Sequence, residues 1–301
     1  MITRIALKEL LDAGRPVILI DVNPAEYYKA VHLPGAKNCC VYETTFLDQA
    51  AAAVPSKDSS IVVYGSSSHS LASATAQEKL ARAGYTHVED YRGGLEDWEC
   101  ASLPIARGPQ PPPAPKPREG RHEVDIEKSQ VVWTGRNISG AHSGTLKLKS
   151  GWLEVCPGPS ATSAKGEFTL DMESIANTDL GDTTYSRMLV AHLKSDDFFD
   201  TGRFPTATFH LRHVTINPHA RPGNINADID GALTLKGVTE DLGFPALIEG
   251  LSGGELAAEA HFDIDRTRWN VIYGSGKFYE KLGMHLVHDV ISLGLHIVTR
   301  I

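Results

Sequence analysis

The sequence is poor in cysteine, with four residues in 301, at positions 39, 40, 100 and 156. None of them has metal-ligand spacing. Cys39 and Cys40 are adjacent, a separation that strains a disulfide between them. The cysteines thus offer neither a metal-ligand pattern nor an unstrained disulfide between Cys39 and Cys40, and four thiols in a reducing compartment are expected. Long apolar runs are lacking too. No segment is long enough to span a bilayer, and the opening "MITRIALKELLDAG" has no long apolar core followed by a small-residue cleavage site. It reads as a short amphipathic helix. These absences predict a cytoplasmic, non-membrane-spanning protein. An excess of basic charge is the third thing missing. Lys and Arg number 29 against 37 Asp and Glu, a formal charge of −8. The imbalance is spread along the chain, 10 against 13 in residues 1–108 and 19 against 24 in the rest. Neither part offers a nucleic-acid surface, and an anionic membrane surface is not invited.

What is present falls into two parts around a spacer. "GPQPPPAPKPREG" (108–120) is proline-dense with almost nothing to bury, and is expected to be an extended, semi-rigid linker over 108–122. Before it, in 1–107, helix and strand signals alternate. "ALKELLDAG" ends in a glycine cap, and "PAEYYKA" has proline in its first turn. "PVILIDV" and "SIVVYG" are continuous apolar runs typical of strands covered on both faces, and "HVEDYRGG" is a third strand. This order predicts a parallel-sheet α/β domain. After the spacer, in 123–301, the period changes to two. Gly166, Phe168, Leu170 and Met172 alternate with Glu167, Thr169 and Asp171. The same pattern recurs at Phe209 and Leu211, at Ile229, Leu233 and Leu235, at Phe262 and Ile264, and from Ile291 to Ile297. Many alternating strands with short turns predict an antiparallel barrel or sandwich. One helical stretch, 183–199, interrupts them.

The first part carries a resemblance. "LIDVNPAEYYKAVHLPGAKN" (19–38), "VVYG" and "GGLEDWECASLP" (93–104) resemble a rhodanese-like domain over residues 1–107, although Asn23 and Val31 stand where that family usually has Arg and Gly. The resemblance implies a cysteine in the loop after the strand ending at Tyr64, its thiolate stabilised by backbone N–H groups and a helix start. No cysteine lies between Cys40 and Cys100. The position is Gly65, in a loop reading Gly65, Ser66, Ser67, Ser68, His69, Ser70, and the family's loop arginine is absent. A serine hydroxyl is a weak nucleophile without a positioned base, and neighbours on a tight loop rarely point at each other. The serines are read as caps for free N–H groups at the helix start. Catalytic residues are therefore expected to be none. The competing reading is a sulfurtransferase-type enzyme using Cys39 or Cys40, or an anion-binding Ser/His loop.

The second part carries another. "VDIEKSQVVWTGRN", "HLKSDDFFDTGRFPTATFHLRHV", "GALTLKGVTEDLGFPA" and "FDIDRTRWNVIYGSGKFYEKLG" closely resemble the YceI-like family over residues 123–301. The resemblance implies a lipocalin-like antiparallel barrel holding a long, apolar, isoprenoid or fatty-acyl-like chain. Phe168, Leu170, Phe209, Leu211, Leu233, Phe262 and Ile264 fall on the apolar phase of strands, and Leu189, Leu193, Phe198 and Phe199 lie in the helical insertion. These eleven are the candidate ligand-binding residues, although a solid core would leave the same alternation. Ten of the thirteen histidines lie beyond residue 108. His142, His192, His285 and His288 sit near the motif segments and are weak metal candidates, outweighed by solvated or hydrogen-bonded roles. The expectation is a non-catalytic binding protein without a cofactor, with a long-chain apolar small molecule as partner. The first domain would serve as a docking or regulatory module for a protein.

Overall fold

The computed structural model describes residues 1–110, 115–156 and 164–301. The chain divides into two compact units, Met1–Pro113 and Ala114–Ile301.

The first unit is the expected α/β domain. Its elements are α1 (Arg4–Asp12), β1 (Ile18–Asp21), α2 (Ala25–Ala30), β2 (Val31–His32), β3 (Lys37–Asn38), α3 (Phe46–Ala53), β4 (Ser60–Tyr64), α4 (Ala72–Arg82), β5 (His87–Tyr91), α5 (Gly94–Cys100) and β6 (Ala106–Arg107). Four parallel strands run in the order β3-β1-β4-β5, and β2 pairs antiparallel with β6. The period of two splits the central strands between two cores. Ile20, Ile61 and Val63 pack with Phe46, Ala50, Ala76 and Leu80 of α3 and α4. Leu19, Val62 and Tyr64 face the other way, onto Leu7 and Trp98 of α1 and α5. Both faces are covered, which is why these strands are uninterrupted apolar runs.

The second unit is a closed antiparallel barrel. Its strands are β7 (Gly120–Val124), β8 (Gln130–Arg136), β9 (Ala141–Val155), β10 (Ala164–Asn177), β11 (Thr206–Ile216), β12 (Ala227–Leu235), β13 (Val238–Gly250), β14 (Leu256–Asp265) and β15 (Val290–Arg300), with α6 (Thr184–Lys194) between β10 and β11. Neighbouring strands pair in sequence from β9 to β15. β7 and β8 pair end to end with the same two neighbours, β15 and β9, and together make one stave broken by the turn at residues 125–129. Eight staves thus close on themselves and leave no free edge. The outer face carries cross-strand pairs such as Arg212 with Asp230 (3.1 Å) and Asp241 (2.8 Å), and Arg268 with Glu240 (3.2 Å).

The boundary between the units differs from the expected 108–122 linker. Gly108 still belongs to the first unit through its N–H bond to the Ala30 carbonyl (2.9 Å). Arg118 N–H already bonds to Gly254 O (2.8 Å), and Gly120, Arg121 and His122 are strand residues. The polar "REGRHEV" hides this strand, because only His122 and Val124 face inward. Residues 111–114 of the expected linker lie outside the described residues. The helical insertion is also shorter than the 183–199 pattern. It stops at Lys194, and Phe198 and Phe199 sit in the turns that follow.

Candidate functional site

Two places were singled out by the sequence, the loop after β4 and the barrel interior. In the loop, strand β4 delivers the chain at Gly65 and α4 begins at Ala72. The carbonyls of Gly65 and Ser66 accept from Leu95 N–H (3.0 Å) and Glu96 N–H (2.9 Å) at the start of α5. Gly94, at φ +63°, makes that approach; a Cβ there would lie 2.7 Å from Gly65 O and 2.9 Å from Ser67 N. Ser67 Oγ accepts from His69 N–H (3.3 Å), and Ser70 Oγ accepts from Ala72 N–H (3.2 Å). Ser66, Ser68 and His69 are exposed. No hydrogen bond joins the His69 ring to a serine hydroxyl among the described residues. The loop holds backbone caps rather than an assembled nucleophile and base.

The two alternative thiols are elsewhere and buried. Cys39 follows β3, fully buried, and its N–H donates to Asp21 O (2.9 Å). Burial pushes its thiol up to about 11, against the opposing charge of Lys37. Such a group is a neutral thiol at physiological pH, a poor nucleophile. Cys40 is also buried, its N–H held by Gln49 Oε1 (2.9 Å).

The barrel interior holds a cavity of about 650 Å³. All eleven candidate residues line it: Phe168 and Leu170 from β10, Phe209 and Leu211 from β11, Leu233 from β12, Phe262 and Ile264 from β14, Leu189 and Leu193 from α6, and Phe198 and Phe199 beyond it. Strand alternation brings the first seven together and the insertion lays the other four over one end. Sequence reading missed Phe244, which stacks on Phe262 at 4.1 Å and lies 5.7 Å from Phe209. Its signal was the run Leu242, Phe244, Ala246, Ile248, all lining the cavity. Pro245 obscured it, since proline inside a strand argues against a central one.

Space in the barrel comes from small side chains. Ala164, Ala227, Ala246 and Ala260 are buried inward residues at the end away from α6. Gly231 on β12 leaves room for the Phe209 ring, which a Cβ there would strike. Phe209 borders void on one side, so Phe209→Ala should cost less than the roughly 3–5 kcal/mol of a fully packed phenylalanine. Thermal melts of the full chain check this. A loss within or above that range would mean that the interior is solid.

Polar groups gather at the α6 end. His142 Nδ1 pairs with Asp179 Oδ2 (2.9 Å) and His192 Nε2 with Asp197 Oδ2 (3.1 Å). Burial alone would raise Asp179, but hydrogen bonds from His142, Ser143 N–H and Asn177 outweigh it and hold the carboxyl at about 2. His285 and His288 are exposed and also line the cavity. The four histidines therefore share one rim. No group of three or more His, Cys, Asp or Glu able to hold a metal occurs among the described residues. Sequence reading gave no role to Arg266, which is 1% exposed. Its guanidinium donates to the carbonyls of Val271, Val287 (3.1 Å) and His288 (3.0 Å). It ties the long connection before β15 to the barrel.

The YceI-like domain family matches residues 122–299, more than half of the chain. The chain belongs to the YceI-like family. A rhodanese-like domain matches residues 3–101, so a rhodanese-like unit precedes the YceI-like barrel. The chain is 40% identical over 89 residues to the thiosulfate sulfurtransferase PspE of Escherichia coli, covering 30% of this chain and 78% of that protein. A UPF0312 protein of Pseudomonas paraeruginosa is 36% identical over 93 residues, 28% of this chain and 45% of that protein. The solved structure of Burkholderia cenocepacia BcnA is 25% identical, with a TM-score of 0.44, covering 58% of this chain and 98% of that one. The chain thus spans less than half the length of the UPF0312 relative. No helix among the described residues is long and apolar enough to cross a membrane.

Proposed function

We propose that the YceI-like barrel is a non-catalytic carrier of one long apolar molecule, isoprenoid or fatty-acyl-like. The rhodanese-like domain, without a loop cysteine, acts as a docking or regulatory module for a protein partner. The observation that carries this reading is the continuous apolar cavity of about 650 Å³ through the barrel. Enclosed pockets of roughly 300–1,000 Å³ suit one ligand, with few polar groups to orient it. Here the tail lies along Phe168, Phe209, Phe244 and Phe262, and a polar head sits at the histidine rim. We place the protein in the cytoplasm, where four unpaired cysteines persist as thiols.

Native mass spectrometry of the purified full chain tests the carrier reading, because a long-chain ligand held in the cavity co-purifies. A cavity-filling variant sharpens it. Ala246 is buried and lines the cavity. Ala246→Leu should abolish ligand retention while changing stability by less than the roughly 1–3 kcal/mol that overpacking costs in a solid core. Retention equal to the unmutated chain would place the ligand outside the barrel and end this reading.

A further inference from the structure

Six large apolar side chains, between 47% and 71% exposed, stand on the segments at one end of the barrel. Ile138 is in the turn between β8 and β9. Tyr185 and Met188 are on α6, whose Leu189 and Leu193 line the cavity. Phe278, Tyr279 and Met284 are on the connection between β14 and β15. These segments meet. Asn137 bridges to Val287, His288 N–H donates to Arg136 O (2.9 Å), and the Tyr185 ring lies 5.7 Å from that of His142. Tyr185 and Met284 also line the cavity, so the collar and the interior form one continuous apolar surface. The opposite end is crossed by residues 115–118. Pro117 lines the cavity there, the backbone at Pro115 lies against Gly250, and Arg118 is bonded to Gly254. Among the described residues, the cavity opens at the collar, where exposed Tyr185, Met284, His285 and His288 line it.

Exposed Phe, Tyr and Met beside lysine and arginine match an interfacial surface, whose apolar groups enter the acyl boundary while long cationic stems reach back to water. The charges around the collar are nearly balanced. Along 136–142, 177–200 and 265–290, seven lysines and arginines stand against eight aspartates and glutamates, and Lys277 is paired with Asp265 (2.5 Å) and Asp289 (3.6 Å). An anionic surface is thus not required. A ligand with a long apolar chain has its reservoir in a bilayer, and a mouth pressed to that bilayer spares the chain from water. A protein seated over the collar would instead seal the opening. We propose that the collar docks the barrel mouth on a phospholipid surface, through which the apolar ligand enters and leaves. This rests on the carrier reading above.

The test floats the full chain with phosphatidylcholine vesicles through a density gradient, beside the variant I138S/M188S/F278S. None of those three side chains lines the cavity. A milder variant, M188S, guards against misfolding, and melting confirms the fold of each. The unmutated chain should float. Partition of the triple variant should fall by roughly tenfold, with M188S between them. Uptake of a fluorescent prenyl probe from vesicles should fall in parallel, while uptake of the same probe from cyclodextrin is unchanged. An unmutated chain that stays at the bottom, or a folded triple variant that floats as well as it does, overturns the proposal. If neither chain takes the probe from cyclodextrin yet only the unmutated one floats, the carrier reading fails and the docking surface stands.

Discussion

Arg266→Met should destabilise the barrel by about 3–5 kcal/mol, because the guanidinium is buried and serves three carbonyls at once. Burial pulls the group down from its usual value, and Asp289 and Asp265 oppose that pull. Arginine stays charged regardless, so the site holds a cation at all working pH values. Methionine fills much of the same space but donates nothing. The carbonyls of Val271, Val287 and His288 would then lack their partner, that of Val271 in a fully buried place and the other two in partly buried ones. For a domain of this size the melting temperature should drop by roughly 10 °C. Arg266→Lys should recover only part of the loss, since one ammonium cannot reproduce a planar fork. Hydrogen exchange resolves the local effect: amides of 270–289 should lose protection before those of the barrel strands. A cost below about 1 kcal/mol, or uniform exchange across the barrel, would mean that Arg266 does not tie this connection down.

The second large effect concerns the emptied loop. The unmutated chain should transfer no sulfur from thiosulfate above background, because Gly65 supplies no thiol and Cys39 is buried and neutral. Gly65→Cys should restore the covalent step. A Cβ at Gly65 would meet Ala72 Cβ at 3.5 Å, Ser73 N at 3.8 Å and Ser70 Oγ at 3.9 Å, all ordinary contacts. Its sulfur would stand at the start of α4, where backbone N–H groups and the helix dipole favour a thiolate. That thiolate would attack the outer sulfur of thiosulfate, form a persulfide and release sulfite. Intact-protein mass spectrometry should therefore gain one sulfur atom in the variant and none in the unmutated chain. The loop lacks a positioned cation, so turnover to an acceptor should stay slow. Robust transfer by the unmutated chain that disappears on Cys39→Ser or Cys40→Ser would sink the pseudo-enzyme reading.

Local chemistry was sufficient for much of this architecture. Apolar runs such as Ile61–Tyr64 need cover on both faces, so a parallel sheet could be read from them. The period of two in Phe168–Met172 puts those side chains on one face of a strand, and short turns between such strands require an antiparallel barrel or sandwich. The absence of a thiol after Tyr64 is a fact of composition that folding cannot change. Other features depend on which strands become neighbours. The identical alternation describes a filled core or a cavity. The difference lies in Ala227 and Ala246 meeting across the β12–β13 ladder, which no local pattern specifies. Phe244 joins Phe209 only because Gly231, on the strand between them, has no side chain. His142, His192, His285 and His288 are far apart in the chain and share one rim only after the barrel closes. Arg266 reads as one more charged residue until the connection folds back and offers it three carbonyls. Periodicity fixes the direction of a side chain, whereas the space and partners it finds there belong to residues remote in sequence.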